Sequence, residues 1–226
     1  MIIKIKKLIN DFLFPVKCVS CGAIDSVLCK NCKNSIKKFD KGFCYSCLRE
    51  GKDFSVCNSC KKGNYLDGVL VLGDYKDYCL KKLIWDLKFN FIKDSAEPLA
   101  LMLYERFKNI NKEDYIVSSV PLNEKRLKYR GFNQSEIIAR KFAGLMDLDY
   151  KETLLRDKNT PSQKGLTKLE RSLNVDGVFN VSGDFNKRNV YLLDDVITTG
   201  ATLNSCAKTL KKTGINEVWG VVLARD

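Results

Sequence analysis

The sequence of 226 residues contains no histidine. This excludes catalysis in which histidine activates a serine or cysteine nucleophile, and it excludes metal sites with histidine ligands. The sequence also lacks an apolar run long enough to span a membrane as a helix. Its first 15 residues are largely apolar but are interrupted by Lys4, Lys6 and Lys7, so they lack the apolar core of a secretory signal. We therefore expect a cytoplasmic protein without a membrane span.

The same leader has an amphipathic pattern. One face of a helix would carry Ile2, Ile5, Ile9 and either Phe12 or Leu13, and Pro15 ends the pattern. A basic amphipathic helix can lie on a membrane surface or pack on its own domain. We expect the second arrangement.

Basic residues outnumber acidic ones by 39 to 27, which gives a formal net charge of +12. Such a surplus favours anionic partners, namely phosphorylated metabolites, nucleic acid or both. A lysine-rich, soluble surface explains the charge equally well, so both interpretations stay open.

Eight of the ten cysteines form four Cys-x-x-Cys pairs. Each pair places two thiolates on one side of a tight turn, and two such turns complete a tetrahedral site for structural Zn²⁺. A disulfide framework is the alternative, but four repeats of this spacing in a chain without a secretion signal argue against it. We expect two zinc sites with sequential ligands, although an interleaved arrangement stays open. The sets are Cys18, Cys21, Cys29, Cys32 and Cys44, Cys47, Cys57, Cys60.

Aromatic residues lie among these knuckles together with many lysines: Phe39, Phe43, Tyr45 and Phe54. Basic and aromatic side chains can bind and stack on single-stranded nucleic acid. Alternatively, they form a small core with a solvated rim.

The pattern predicts two domains: residues 1–64 with the leader and a double zinc ribbon, and residues 65–226 with an α/β fold. Apolar, β-favouring runs predict strands at 67–75, 115–120, 177–181, 190–193 and 216–225. Helical spacing predicts helices at 80–91, 98–107 and 134–145, and one that follows residue 202. Cys79 and Cys206 fall outside the pairs and are expected to be small buried side chains.

The most informative stretch follows the apolar run 190–193. Asp194 and Asp195 end this strand, and a loop of small residues then leads into a helix. Backbone N–H groups at a helix N-terminus bind phosphate, while ionised carboxylates accept hydrogen bonds from sugar hydroxyls or from water around Mg²⁺. The loop lacks the Gly-Lys-Ser/Thr ending of a nucleotide-binding P-loop. The candidate phosphate-binding residues are Thr198, Thr199, Gly200, Ala201 and Thr202.

Further cations are expected near such a ligand. Arg126 and Arg130 precede the helix at 134–145, and their guanidinium groups suit a diphosphate. The polar stretch 156–174 is expected to be a mobile basic loop that closes over the ligand, with Lys164, Lys168 and Arg171 as candidates. A plain surface loop is the alternative.

The acidic pair with its threonine loop resembles the phosphoribosyl-pyrophosphate (PRPP) motif of type I phosphoribosyltransferases. This resemblance implies a parallel sheet flanked by helices, an acidic pair that binds the ribose hydroxyls and a loop that binds the 5-phosphate. Taken together, the chain resembles the ComF family of phosphoribosyltransferase-like proteins associated with natural competence. The motifs are Phe14-Pro15, the paired cysteines, Lys88-Phe89, Val120-Pro121-Leu122, Arg130-Gly131-Phe132-Asn133-Gln134, Arg171 with Asn174, and the acidic-pair loop.

The ComF resemblance implies a cytoplasmic factor that helps single-stranded DNA reach recombination, beside a helicase and a DNA-processing protein. Two functions stay open. The first is a Mg²⁺- and PRPP-dependent transferase whose acceptor the sequence does not identify. The second is a non-catalytic adaptor that binds nucleic acid or a partner and retains a regulatory or vestigial PRPP site.

Overall fold

The computed structural model describes residues 15–156, 178–183 and 188–226. The leader at 1–14 and the expected mobile loop with Lys164, Lys168 and Arg171 lie outside these residues. The strands of the described part are β1 (Gly42–Phe43), β2 (Glu50–Gly51), β3 (Gly68–Asp74), β4 (Tyr115–Ser119), β5 (Leu154–Arg156), β6 (Phe179–Val181), β7 (Asn189–Ile197) and β8 (Val218–Arg225). The helices are α1 (Lys30–Ser35), α2 (Tyr78–Phe89), α3 (Ala96–Phe107), α4 (Glu124–Arg130), α5 (Gln134–Met146) and α6 (Ala201–Lys211), with short 3-10 turns at Asn58–Cys60 and Lys93–Ser95.

Four strands form a parallel sheet in the order β3-β8-β7-β4. All but the last residue of β3 are buried, as are most residues of β8, which explains their nearly continuous apolar sequences. β1 with β2 and β5 with β6 form separate two-stranded antiparallel sheets. The expected α/β fold, a parallel sheet flanked by helices with a cysteine-rich module, is confirmed.

The cysteine-rich segment lies along the free edge of β3. Isolated antiparallel bridges join Lys38 to Gly73 and Ser55 to Gly68. These bridges cover an edge that would otherwise expose unpaired backbone groups. Buried residues of the segment, among them Phe43 and Phe54, belong to the same hydrophobic core as the sheet.

Helices α1 and α4 were not predicted from the sequence, and α2 and α3 each begin two residues earlier than expected. α2 begins and ends two residues earlier than expected, because Asp77 caps it by accepting from the Leu80 amide, and Phe91 has a positive φ of 57°. Asn123 caps α4 and Gly131 ends it in the left-handed conformation.

Every helix in the described ranges is too short or too polar to span a bilayer.

Candidate functional site

The acidic pair lies near the carboxyl end of β7, which continues through Ile197 and so extends two residues beyond the end that the sequence predicts. β7 pairs with β4 on one side and β8 on the other, with Asp194 opposite Val222. Open α/β sheets bind their ligands at this edge. Asp195 is only 8% exposed, so its charge must be balanced by the protein.

Three donors reach the Asp195 carboxylate. Lys88 Nζ at the end of α2 lies 2.8 Å from Oδ1, and the Val196 amide donates to the same oxygen at 2.6 Å. Gln134 Nε2 at the start of α5 donates to Oδ2 at 2.6 Å. Burial alone would raise the pKa of Asp195, but Lys88 and these hydrogen bonds lower it below its usual value. Asp195 is therefore a satisfied, ionised carboxylate.

Asp194 differs from its neighbour. Its Oδ1 accepts from Ser135 Oγ at 3.1 Å and from the Asp195 amide at 2.9 Å. Within the described ranges no hydrogen bond reaches its Oδ2. Burial and the adjacent negative charge of Asp195 raise the pKa of Asp194 to about 7. Asp194 thus keeps an acceptor for a ligand.

The loop after β7 has the geometry of an anion site. Gly200 is the N-cap of α6 with φ 78°, and it offers no capping side chain. The first turn of α6 contains no acidic residue, while the Ala201 amide donates to Thr199 Oγ1 at 3.3 Å. The N–H groups of this turn and the helix dipole favour a bound anion. Thr198, Thr199 and Gly200 lie in the loop, and Ala201 and Thr202 begin α6.

The two arginines of α4 lie on the same side of the site. Arg130 Nη1 donates to Gln134 Oε1 at 2.6 Å and is thereby linked to Asp195. Burial lowers the pKa of Arg130, and the charge of Asp195 opposes this effect. Arg126 is exposed on the same helix and acts on Arg130 electrostatically.

Sequence reasoning missed four residues around the acidic pair: Lys88, Gln134, Ser135 and Arg156. Burial lowers the pKa of Arg156 at the end of β5, and the charge of Asp194 opposes the shift. Lys88 and Gln134 occur in motifs that carry the ComF resemblance, which was the available signal. Their contacts with Asp195 depend on the tertiary fold and leave no local pattern.

The eight paired cysteines form two clusters with the sequential ligand sets. We call Cys18, Cys21, Cys29 and Cys32 the first cluster, and Cys44, Cys47, Cys57 and Cys60 the second cluster. In each cluster the sulfurs lie within 4.8 Å of one another, and the Cys21–Cys29 and Cys47–Cys57 pairs are both separated by 3.6 Å. Tetrahedral zinc with Zn–S bonds of about 2.3 Å requires sulfurs about 3.8 Å apart. The clusters therefore fit structural zinc.

Backbone hydrogen bonds favour the thiolate form of one cysteine in each cluster. Burial alone would raise the pKa of Cys18, but hydrogen bonds, first from the Cys29 backbone, lower it to about 6. The Cys57 backbone leads the same effect on Cys44, whose pKa is also lowered to about 6. Thiolates are the form that zinc binds.

The aromatic rings among the knuckles are mostly core residues. Phe43, Tyr45 and Phe54 are 8%, 2% and 6% exposed. Phe43 packs edge-on against both Phe39 and Phe54. Phe43, Tyr45 and Phe54 therefore form the small core of the alternative interpretation. Binding of nucleic acid by this segment stays a prediction.

A cleft of about 470 Å³ lies at the opposite, amino edge of the sheet. Glu217 accepts from the Tyr115 hydroxyl and from Trp219 Nε1, and the Tyr191 hydroxyl donates to the Asn111 carbonyl at 2.6 Å. These polar groups of the lining are bonded within the protein, so the cleft is not our candidate site.

The chain is similar to several curated proteins. Competence protein F of Haemophilus influenzae is 29% identical over 222 residues, which cover 87% of this chain and 96% of that protein. The DNA utilization protein YhgH of Escherichia coli is 29% identical over 85% of this chain and 88% of that protein. Competence protein ComFC of Bacillus subtilis is 25% identical over 84% of this chain and 80% of that protein. No family model matches the chain.

Solved structures are more distant. An allosteric regulatory enzyme of purine biosynthesis has a TM-score of 0.38 and 18% identity, over 56% of this chain and 25% of that chain. A purine phosphoribosyltransferase from Pyrococcus horikoshii has a TM-score of 0.30 and 16% identity, over 70% of this chain and 87% of that chain. These scores are too low to carry an argument. The curated relatives confirm the expected resemblance, and over most of its length the chain is similar to competence proteins of the ComF family.

Proposed function

We propose that this chain is a ComF-like protein of the phosphoribosyltransferase type that binds PRPP and acts in natural competence, where single-stranded DNA is taken up and processed. One observation carries the ligand assignment: an acidic pair at the end of β7 followed by an N-cap glycine with positive φ. The similarity to competence protein F and to a DNA utilization protein supports the biological role.

Each part of the site has a role in this proposal. The amides of the first turn of α6 and the threonine hydroxyls of the loop bind the 5-phosphate. Asp194 accepts from the ribose hydroxyls, and Asp195 holds Lys88 and Gln134 in place. Arg126 and Arg130 bind the diphosphate. Mg²⁺, bound together with PRPP, would neutralise part of the diphosphate charge.

Turnover would displace diphosphate from C1 of the ribose through an oxocarbenium-like transition state. The protein would position the ligand and stabilise the charge that leaves with diphosphate. The acceptor is unidentified, so PRPP binding and catalysis are separate claims. Diphosphate release in the presence of an acceptor tests the second claim.

Calorimetric titration of the zinc-replete protein with PRPP and Mg²⁺ tests the first claim, with ribose 5-phosphate as the control ligand. We expect PRPP to bind more tightly, because only PRPP contacts the arginines of α4. If neither PRPP nor ribose 5-phosphate binds, the assignment of the PRPP site is contradicted.

A second candidate function, a nucleic-acid adaptor, is favoured by an exposed group of rings next to the site. We call Trp85, Phe89, Phe91 and Tyr129 the aromatic patch; they are 46%, 37%, 40% and 72% exposed. Trp85 packs on Phe89, Phe91 packs on Tyr129, and the Arg130 guanidinium lies 5.3 Å from the Phe89 ring centre. Exposed rings beside a cation are typical of surfaces on which single-stranded bases stack.

The surroundings of the aromatic patch are basic. Residues 78–95 and 124–130 contain eight lysines and arginines and three acidic residues. This charge suits an anionic strand and predicts binding that weakens with salt. Each stacked ring contributes about 1 to 3 kcal/mol, so Tyr129→Ala should weaken binding of single-stranded DNA about tenfold.

Fluorescence anisotropy with a labelled oligonucleotide measures this change. Tyr78→Ala is the matched control, because Tyr78 is 66% exposed at the other end of α2. Equal losses in the two variants would contradict a role for the aromatic patch. Binding that survives Asp194→Asn would separate the adaptor from the PRPP site.

A further inference from the structure

The second cluster contacts the phosphate-binding loop through a buried tyrosine. Tyr45 follows Cys44 directly and is 2% exposed. A Cβ at Gly200 would lie 2.5 Å from Tyr45 Cε2 and 2.9 Å from Cδ2. The ring therefore fills the space that a side chain at position 200 would occupy, and it supports the turn from which the helix amides project.

Hydrogen bonds tie the same tyrosine back to the second cluster. Its hydroxyl donates to Asn64 Oδ1 at 2.5 Å, and Asn64 Nδ2 donates to the backbone carbonyl of Cys60. Tyr45 is thus connected to the first cysteine of the cluster by the chain and to the last by a side-chain bridge.

The segment after Cys60 also holds the start of α6. The Tyr65 amide donates to Asn204 Oδ1 at 2.6 Å, and Asn204 Nδ2 donates to the Gly63 carbonyl at 3.2 Å. The Asn204 amide in turn donates to the Gly200 carbonyl at 2.8 Å, closing the first turn of the helix. The segment of the second cluster therefore contacts both Gly200 and the first turn of α6.

A third contact comes from the neighbouring strand. Arg225 Nη1 at the end of β8 donates to the Tyr45 carbonyl at 2.8 Å. Arg225 lies opposite Ile197, the last residue of β7 before the loop. The backbone of the second cluster is therefore fixed against the strands that carry the site.

The first cluster has different neighbours. Ser20 Oγ and Cys79 Sγ at the start of α2 are 2.9 Å apart, and Lys33 Nζ forms an ion pair with Glu105 of α3 at 2.5 Å. Within the described ranges no hydrogen bond or ion pair joins residues 15–36 to residues 194–204. The two clusters therefore have the same ligands but different structural neighbours.

We propose that the metal of the second cluster positions the phosphate-binding loop, that Tyr45 is the positioning residue through which it acts, and that the first cluster has no such role. The proposal rests on the proposed function only in taking the loop as a phosphate site. Metal binding to a Cys₄ site supplies folding free energy to its own segment. In the second cluster that segment includes the support of Gly200.

Two matched substitutions test the proposal: Cys21→Ser in the first cluster and Cys47→Ser in the second. Each removes the exposed cysteine of its cluster. We expect both proteins to lose zinc in metal analysis. Only Cys47→Ser should speed hydrogen exchange at the amides of residues 200–204 and weaken PRPP binding about tenfold, since a loop that must reorder on binding lowers affinity.

Tyr45→Ala tests the same link with all cysteines present. It should retain zinc but lose PRPP affinity, while Tyr45→Phe, which keeps the ring, should restore most of it. Phe54→Ala is the control, because Phe54 is a buried ring of the same segment that packs on Phe43 and Phe107. It should lower the melting temperature without changing PRPP affinity.

Hydrogen exchange separates failure of this inference from failure of the proposed function, because it requires no ligand. If the unsubstituted protein binds no PRPP but Cys47→Ser alone loosens residues 200–204, the link between metal and loop holds and the ligand assignment is wrong. Equal exchange at these amides in Cys21→Ser and Cys47→Ser would overturn the inference. Unchanged PRPP affinity in zinc-replete Tyr45→Ala would overturn the role of Tyr45.

Discussion

Buried or half-buried carboxylates lie at both the amino edge and the carboxyl edge of the central sheet, where its parallel strands begin and end. The groups that surround these carboxylates differ between the two edges. At the amino edge the Glu217 carboxylate accepts from two neutral donors, Tyr115 and Trp219. At the carboxyl edge Asp194 and Asp195 are adjacent, and an ammonium group, Lys88, contacts Asp195. The hydrogen bonds at the amino edge satisfy the Glu217 carboxylate, whereas at the carboxyl edge Asp194 and Asp195 repel each other when both are ionised.

This difference shows that the volume of a cleft is a poor guide to function here. The cleft of about 470 Å³ lies at the satisfied edge. The carboxyl edge instead combines perturbed carboxyl groups with a helix N-terminus. Perturbed ionisable groups concentrate at functional sites, where a ligand completes the charge balance that folding leaves incomplete.

The largest effect is expected when both carboxylates are neutralised. Asp194→Asn with Asp195→Asn should abolish PRPP binding, because Asp194 loses its charged acceptors for the ribose hydroxyls and Asp195 no longer holds Lys88 and Gln134 in place. Each hydrogen bond to a charged group contributes about 1.5 to 3 kcal/mol, so affinity should fall by about a hundredfold or more. The fold should remain intact. Calorimetry measures affinity and circular dichroism checks the fold; unchanged affinity would refute the site assignment.

The single substitutions should separate the two aspartates by their effects on stability. The lowered pKa of Asp195 means that its ionised form stabilises the fold above its unfolded pKa, and that this stability is lost as the pH falls through the folded pKa. Asp195→Asn should therefore cost about 3 kcal/mol at neutral pH, because Lys88 loses its buried partner. Urea denaturation at pH 7 measures the loss. If Asp195→Asn unfolds at the same urea concentration as the unsubstituted protein, the Lys88–Asp195 ion pair does not stabilise the fold.

Asp194→Asn should instead stabilise the fold. The raised pKa of Asp194 means that the fold favours the neutral carboxyl, so this stability is present below pH 3.8 and is lost as the pH rises towards about 7. Asparagine stays neutral, and we expect a gain of about 2 kcal/mol at pH 8 that shrinks towards pH 4. Urea denaturation across this pH range checks the trend. A constant difference would show that Asp194 does not titrate there.

The sequence predicted the parts of this site that are local along the chain. The strand, the acidic pair, the loop and the helix after it occupy one stretch, and repeated Cys-x-x-Cys spacing predicted both clusters. Contacts between distant residues could not be predicted in this way. Gln134 and Asp195 are 61 positions apart, and only the packing of α5 against β7 brings them together.

Helix α4 was missed for a related reason. Its residues are mostly exposed and charged, so it lacks an apolar stripe. The helix is stabilised by the Asn123 cap, the left-handed Gly131 and a Glu124–Lys128 ion pair of 2.6 Å at its surface.

The expected domain boundary at residues 64 and 65 stays a prediction, although the two parts share one core.

The smallest effect should come from the amino edge. Glu217→Gln keeps an oxygen for Tyr115 or Trp219 but removes the charge that strengthens both hydrogen bonds, so it should cost about 1 kcal/mol of stability. PRPP affinity should stay unchanged, because Glu217 lies at the edge of the sheet opposite the acidic pair. Thermal denaturation and PRPP titration of this variant, beside Asp195→Asn, compare the two edges directly. A loss of PRPP affinity in Glu217→Gln would show that the edges are coupled through β7 and β8, and that a satisfied carboxylate can influence a ligand site across the sheet.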